Sequence, residues 1–210
     1  MMNVLITGGE GFIGGHLVRK LKALEHRVTV VDDMSGTQSK DTKHTPIFAM
    51  RIQDYLTRCK EKFDIIFHLA ATPRMGFSFD KPRIVLDNNI TSTIAVADYA
   101  SKANSWVFWS NSSMTTAIND AKINPYVHSK SISKDILELY SEHFGLNYSI
   151  LSFHNVYGPE EKIEGEYTTC VAKMLDDYQK HNKITVTGDG TQSRQFTHVH
   201  DVVDATILAM

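Results

Sequence analysis

Leu5-Ile-Thr-Gly-Gly-Glu-Gly-Phe-Ile-Gly14 is a short apolar run that breaks into glycines and then resumes as an apolar, helix-forming stretch. That order of residues predicts a strand, a tight turn and the start of a helix. Its glycines fit two overlapping spacings, Gly9, Gly11 and Gly14 or Gly8, Gly11 and Gly14. In either set the first glycine permits the turn out of the strand. Gly11 lets backbone approach a pyrophosphate, and Gly14 lets the helix pack close to the sheet with its amino-terminal dipole facing the anion. A second predicted strand runs into Asp32. A carboxylate there would accept hydrogen bonds from adenosine ribose hydroxyls and repel a ribose phosphate, so NAD is expected over NADP. The plainer alternative for Asp32 and Asp33 is a solvated turn.

Outward from this stretch, short apolar runs alternate with longer amphipathic ones, the pattern of a parallel sheet wrapped by helices. Strands are expected at Asn3–Thr7, Arg27–Val31, Pro46–Met50, Asp64–Leu69, Ser105–Ser110 and Asn147–Phe153. Helices are expected at Phe12–Leu24, Asp54–Lys60, Pro82–Ala103, Pro125–Phe144 and Glu166–His181. Ile13, Leu17, Leu21 and Leu24 recur at spacings of three and four, giving the first helix one apolar face for the sheet. Right-handed crossovers then fix a doubly wound α/β layout. Beyond Gly158 the composition turns more polar and the rhythm weakens. We therefore expect residues 1–158 to form a Rossmann cofactor domain and residues 159–210 a small partial substrate lobe and a returning helix. The run from Asp201 to Met210 is helical in character and reads as cut short.

Tyr126 and Lys130 lie four apart on a predicted helix, so their side chains share a face. A phenol with an ordinary pKa near 10 is a poor base at neutral pH, but a neighbouring ammonium favours the phenolate. A Tyr-x-x-x-Lys pair by itself is common. Here it follows a dinucleotide cradle and a strand ending in hydroxyl residues, which points to proton transfer. Ser112 is the hydroxyl expected beside Tyr126, with Ser110 and Ser113 as competitors. Trp106, Phe108 and Trp109 read most simply as core, although Trp109 is within reach of the cleft. His198-Val-His200, read as alternating residues of a short strand, would share a face. A metal pair is the weaker reading, and no metal is expected.

The bulk numbers narrow the class. A chain of 210 residues with 42% hydrophobic and 22% charged residues suits one globular domain, with or without a small second lobe. A formal charge of −2 gives no footprint for nucleic acid or an anionic membrane. Two cysteines, Cys59 and Cys170, are too few for a disulfide framework and fit a reducing cytoplasm. No signal peptide is expected at the amino terminus, and no apolar run reaches membrane-spanning length.

Taken together these motifs resemble the extended short-chain dehydrogenases/reductases, within them the NAD-dependent nucleotide-sugar epimerase/dehydratase family, UDP-glucose 4-epimerase-like. The likeness rests on Thr7–His16, Val30–Gly36, His68–Ala71, Asp87–Ile90, Trp109–Ser113, Tyr126–Lys130, Asn155–Pro159 and Gly188–Phe196. The resemblance implies NAD contacts from Gly8, Gly11, Phe12, Ile13, Gly14, Asp32, Asp33, Ile52, Leu69, Ala70, Ala71, Asn89, Tyr126, Lys130 and His154. It implies catalysis by Ser112, Tyr126 and Lys130. A nucleotide-diphosphate sugar would be held by Ser112, Tyr126, Asn155 and Arg194, the guanidinium suiting a diphosphate by its bidentate geometry. A homodimer through the helices matching Pro82–Ala103 and Pro125–Phe144 is a further implication.

The implied reaction is transient oxidation of a sugar hydroxyl, with Tyr126 as base and NAD as hydride acceptor, followed by return of hydride to the other face. Alternatives are an NDP-sugar dehydratase or reductase, or a shortened NAD-binding protein with little turnover. Dehydratases place carboxylates directly after the active-site hydroxyl, where this chain has Ser113 and Met114, which favours epimerisation. Three further departures stand out. Arg51 occupies the usual aspartate position near the adenine, only 13 residues separate Ser112 from Tyr126, and Ser152 replaces an arginine.

Overall fold

The computed structural model describes residues 1–36, 46–73, 75–117, 124–163, 168–186 and 188–210. Five β-strands alternate with helices as the apolar pattern requires: β1 Asn3–Thr7, β2 Arg27–Asp32, β3 Ile47–Ala49, β4 Ile65–His68 and β5 Trp106–Ser112. A sixth, β6, spans Asn147–Phe153. All pair in parallel in the order β3-β2-β1-β4-β5-β6. The order reverses between β1 and β4, and at such a switch point the carboxyl ends of the strands open a crevice.

Alternation along the strands divides the core into two layers. Leu5, Val31, Ile66, Val107 and Trp109 pack on one side with Val96, Ala97, Ala100 and Leu137. Those partners come from helices α4 (Pro82–Ala103) and α6 (Pro125–Phe144). Val4, Ile6, Val30, Phe67 and Phe108 face the other way, against Leu17, Val18 and Leu21 of α1 (Phe12–Ala23) and Val203. Val203 belongs to α8 (Val199–Leu208), which an ion pair between Lys20 and Asp204, 2.8 Å long, ties to α1.

Several boundaries differ from the sequence reading. β2 runs one residue further and includes Asp32, while β5 continues to Ser112 because Ser112 still pairs with Phe153. The helix expected at Asp54–Lys60 is α2, Ile52–Leu56, which follows β3 after Met50 and Arg51 and buries Ile52 and Tyr55. The helix expected from Glu166 begins at Cys170 behind a Thr169 cap, as α7 (Cys170–His181); residues 164–167 lie outside the described ones. Two short helices were not expected, α3 (Met75–Asp80) and α5 (Met114–Ala117). Trp106 is not core: it is 45% exposed and donates from Nε1 to Ser149 Oγ.

A second, two-stranded parallel sheet joins β7 (Val156–Tyr157) to β8 (Thr197–His198). His198 and His200 do not alternate on one strand. The chain turns helical at Val199, and His198 caps α8 by accepting the His200 N–H at 3.3 Å. Their rings still meet edge to face at 4.8 Å. No cluster of three or more metal-ligating side chains occurs among the described residues.

Candidate active site

A cleft of about 640 Å³ follows the carboxyl edge of the large sheet, a size ordinary for a cofactor site. At its centre lies the glycine turn. Gly8 takes φ +73°, the left-handed region that favours glycine, and its N–H donates to Val31 O. A Cβ on Gly8 would stand 2.8 Å from Ala70 N. Gly8 therefore supplies the turn and lets β1 meet the Leu69–Ala71 backbone, while Gly9 packs on the Val30 side chain. Gly11 is the residue before α1. The amide-lined start of α1, with no acidic side chain in its first turn, is a fit for a pyrophosphate.

Asp32 lies at the end of β2, only 9% exposed. Its Oδ2 accepts the Glu10 N–H at 3.0 Å and its Oδ1 the Met34 N–H at 2.8 Å. Burial pushes this carboxyl above its ordinary value, and the two N–H donors work against that. The carboxylate is thus fixed in orientation beside the cradle. The solvated-turn alternative for Asp32 is excluded by its burial.

A buried polar chain holds the opposite wall. The Ala70 N–H donates to Thr7 Oγ1 at 3.1 Å, and Thr7 Oγ1 lies 2.7 Å from His68 Nδ1. His68 Nε2 lies 3.3 Å from Thr93 Oγ1, which donates to Asn89 O at 2.8 Å. This directionality assigns the proton of His68 to Nε2. Asn89 accepts the Thr72 N–H at 2.7 Å and donates to Ser129 Oγ at 2.9 Å. The wall from Leu69 to Thr72 is therefore fastened to β1, α4 and α6 at once.

Complete burial, and secondarily the Lys130 charge, lower His68 to about 3. The unfolded chain would bind that proton below about 6.5. Stability contributed by neutral His68 is present above pH 6.5 and is lost as pH falls toward 3, at up to about 1.4 kcal/mol per pH unit. Lys130 stays protonated in both states through that window and adds little to the slope. Urea unfolding of the parent and of His68→Gln at several pH values should show a shallower decline in the variant; identical slopes would remove His68 from the account.

The other end of the cleft is built by β5 and α6. Asn124 caps α6, its Oδ1 accepting the N–H groups of Tyr126 and Val127 at 2.8 and 3.1 Å, and Pro125 occupies the first helical position. The cap fixes where Tyr126 leaves the helix. One turn on, Lys130 is only 4% exposed and donates from Nζ to Ser110 O at 2.7 Å. Loss of hydration lowers this ammonium to about 7. Ser112 Oγ accepts the Met114 N–H at 3.3 Å at the very end of β5. Of its competitors, Ser110 also lines the cleft, but its hydroxyl is donated to His68 O; Ser113 does not line it.

The cleft thus gathers Gly8, Gly11, Phe12, Ile13, Gly14, Asp32, Asp33, Ile52, Leu69, Ala70, Ala71, Ser112, Tyr126, Lys130 and Asn155. Three expected residues are outside its lining. Asn89 is buried at 2% exposure and braces the Thr72 backbone instead. His154 lies just past β6 and does not line the cleft. Arg194 is exposed and folds back onto Ser193 O.

Arg51 lines the end beyond Asp32 and reaches across to α4, where it donates to Asn88 Oδ1 and stands 3.5 Å from Asp87. Asn111 lines the cleft beside Ser112 and was missed. Its Nδ2 donates to Thr115 Oγ1 at 2.8 Å, and its buried Oδ1 accepts no hydrogen bond among the described residues. A carboxamide at the end of an apolar strand was the available signal.

The model of the NAD dependent epimerase/dehydratase family matches residues 4–210. The UDP-N-acetyl-alpha-D-glucosaminuronate decarboxylase of Bacillus cytotoxicus is 30% identical, over 98% of this chain and 70% of its own. The putative UDP-glucose 4-epimerase of Methanocaldococcus jannaschii is 27% identical, over 99% of this chain and 73% of its own. The crystal structure of the UDP-glucose 4-epimerase of Thermotoga maritima with UDP-glucose matches at a TM-score of 0.92 and 28% identity, covering 100% of this chain and 73% of that one. That of the Thermus thermophilus UDP-glucose 4-epimerase complex with NAD matches at 0.86 and 25%, covering 99% and 74%. With its sheet order, its glycine turn and a match along nearly its whole length, the chain belongs to the NAD dependent epimerase/dehydratase family.

Proposed function

We propose that this chain is an NAD-dependent nucleotide-sugar epimerase of the 4-epimerase kind. The observation that carries the reading is the meeting, in one cleft, of Tyr126 and Lys130 from α6 with Ser112 from β5, opposite the glycine turn and Asp32. Relatives named as UDP-glucose 4-epimerases, and a solved one with UDP-glucose, support a nucleotide sugar as substrate.

The fit to NAD rests on this chain's own backbone: the Gly8 turn and the α1 amino terminus suit the pyrophosphate, and Asp32 suits the ribose hydroxyls. When bound, NAD supplies the acceptor that takes hydride from a sugar carbon and gives it back. Tyr126 Oη removes the proton from the sugar hydroxyl, Lys130 favours the phenolate by its charge, and Ser112 Oγ hydrogen-bonds the sugar oxygen. Asn155, whose Nδ2 donates to Gln195 O at 2.8 Å, lines the side where the sugar diphosphate would lie. Arg194 joins it in this reading only by turning away from Ser193 O.

A dehydratase needs an acid or base beside the reacting carbon, and the residues after Ser112 are Ser113 and Met114. Carboxylates lining the cleft among the described residues are Asp32 and Asp33 at the β2 end and Glu161 after β7. The reading keeps residues 1–158 as the cofactor domain and 159–210 as part of the sugar lobe with a returning helix, α8, that packs back on α1. It also includes a homodimer through the outer faces of α4 and α6, where Ile94 and Leu139 are exposed, and a cytoplasmic location. No helix among the described residues is long and apolar enough to cross a membrane.

The test is a panel of nucleotide sugars with NAD, followed by thermal shift and product analysis. Added stabilisation by one sugar nucleotide over NAD alone, with appearance of its epimer, is expected. Stabilisation by NAD with every sugar inert would replace the reading with a cofactor-binding protein of little turnover.

A further inference from the structure

Lys130 is buried more completely than the one hydrogen bond it makes among the described residues, to Ser110 O, accounts for. An ammonium has three donors and loses several kcal/mol of hydration on burial. The described carboxylates lining the cleft come from the β2 end and from beyond β7, not from β5, α4 or α6. What lies against the ammonium is an indole. Lys130 Nζ stands 4.9 Å from the centre of the Trp109 ring. Trp109 is itself 1% exposed and locked into the core among Val107, Leu137 and Ile150. It is absent from the cleft lining, so it does not reach a ligand.

We propose that Trp109 is a positioning residue of the Tyr126–Lys130 pair: its indole face holds the Lys130 ammonium in place and keeps it charged inside an apolar wall. The proposal rests on the epimerase reading of that pair for its effect on turnover, but not for its effect on Lys130. Indole presents the most negative face of the aromatic side chains, and such a contact strengthens when water is excluded. β-Strand alternation explains the placement. Trp109 points from β5 toward α6 while the Ser110 carbonyl beside it takes one Lys130 N–H, so one strand supplies both a ring face and an acceptor. Burial alone draws Lys130 down to about 7. The ring opposes that pull and so sets how far above neutrality the ammonium persists.

Among the described residues, few other groups face Lys130. Tyr126 shares its helix face, and His68 approaches from β4 as a neutral imidazole. From α4 the polar groups meeting α6 are Asn89 and Thr93, on Ser129 and Ser133. Tyr126 and His68 are therefore the titratable groups to hold constant in a test.

The experiment follows the ε-carbon resonance of ¹³C-lysine-labelled protein against pH, with Lys130 assigned by its loss in Lys130→Met. Trp109→Leu keeps the wall apolar but removes the ring, and its Lys130 midpoint should fall by about one pH unit. Trp109→Phe retains a weaker face and should fall about half as far. The alkaline limb of kcat/KM should move with the midpoint in both. An unchanged midpoint in a folded Leu or Phe variant overturns the proposal, as does a loss of activity that leaves the pH profile in place. If the Leu variant fails to fold, the Phe variant alone decides. A shifted midpoint in a protein inert toward every sugar would sink the epimerase reading and leave the ring–ammonium contact standing.

Discussion

Tyr126→Phe is expected to lower turnover of the sugar substrate at least a hundredfold, the scale of losing a positioned acid–base group, with NAD affinity nearly unchanged. The substitution deletes one oxygen and keeps the ring, so the partly buried side chain still fills its place on α6. The α6 cap acts through the Tyr126 N–H and is untouched. What is lost is the atom proposed to take the proton from a sugar hydroxyl beside Ser112. Lys130 Nζ is turned to Ser110 O, and its proposed part is to favour the phenolate by its charge. Single-turnover assays and NAD titration separate the two effects. Turnover within a few fold of the parent would end the assignment of Tyr126 as the base.

The parts of the fold that were legible in the sequence are those where one local rule governs. Pro82–Ala103 and Pro125–Phe144 begin at a proline suited to the first helical turn, and both end in a left-handed residue, Asn104 or Gly145. Their bounds are the ones expected. β2 and β5 were read short because Asp32, Asn111 and Ser112 are poor strand formers, yet tertiary pairing with Ala49, Ser152 and Phe153 keeps them extended. Those overruns are where cleft-lining side chains sit, so local propensity failed at the cleft itself. α3 and α5 carry too few residues for a period to show.

Site residues divide along the same line. Glycines and the Tyr126–Lys130 pair announce themselves by spacing, and the structure brings them to one cleft. Asn89 was assigned to the cofactor by the family resemblance alone. In the structure its carboxamide is consumed by Thr72 and Ser129. The Thr7–His68–Thr93 chain could not be read at all, because its members are 61 and 25 residues apart and only sheet order makes them neighbours.

Gly14→Ala is the second large effect expected, and it runs against helix propensity. In an exposed helix interior this change stabilises by about 1 kcal/mol. Here the added Cβ would stand 2.1 Å from Gly8 O and 2.8 Å from Gly9 Cα, both backbone atoms. Neither can retreat. The Gly8 peptide is held by its own N–H on Val31 O at 2.9 Å, and its carbonyl accepts the Gly11 N–H at 3.2 Å. A flexible side chain could swing away from such a contact, but this turn can relieve it only by moving α1 off the end of β1. That movement breaks the close packing of Leu17 and Val18 and shifts the amides expected to meet the pyrophosphate. Overpacking of this kind costs about 1–3 kcal/mol or more in stability. NAD affinity should fall at least a hundredfold, about 3 kcal/mol. Gly76→Ala is the control, since a Cβ there meets nothing within 4 Å and Gly76 does not line the cleft. Thermal unfolding and NAD titration of both variants would decide. A Gly14→Ala protein with parental NAD affinity would show that α1 can slide without disturbing the cradle, and the close approach of Gly14 to Gly8 would then be packing rather than part of the binding site.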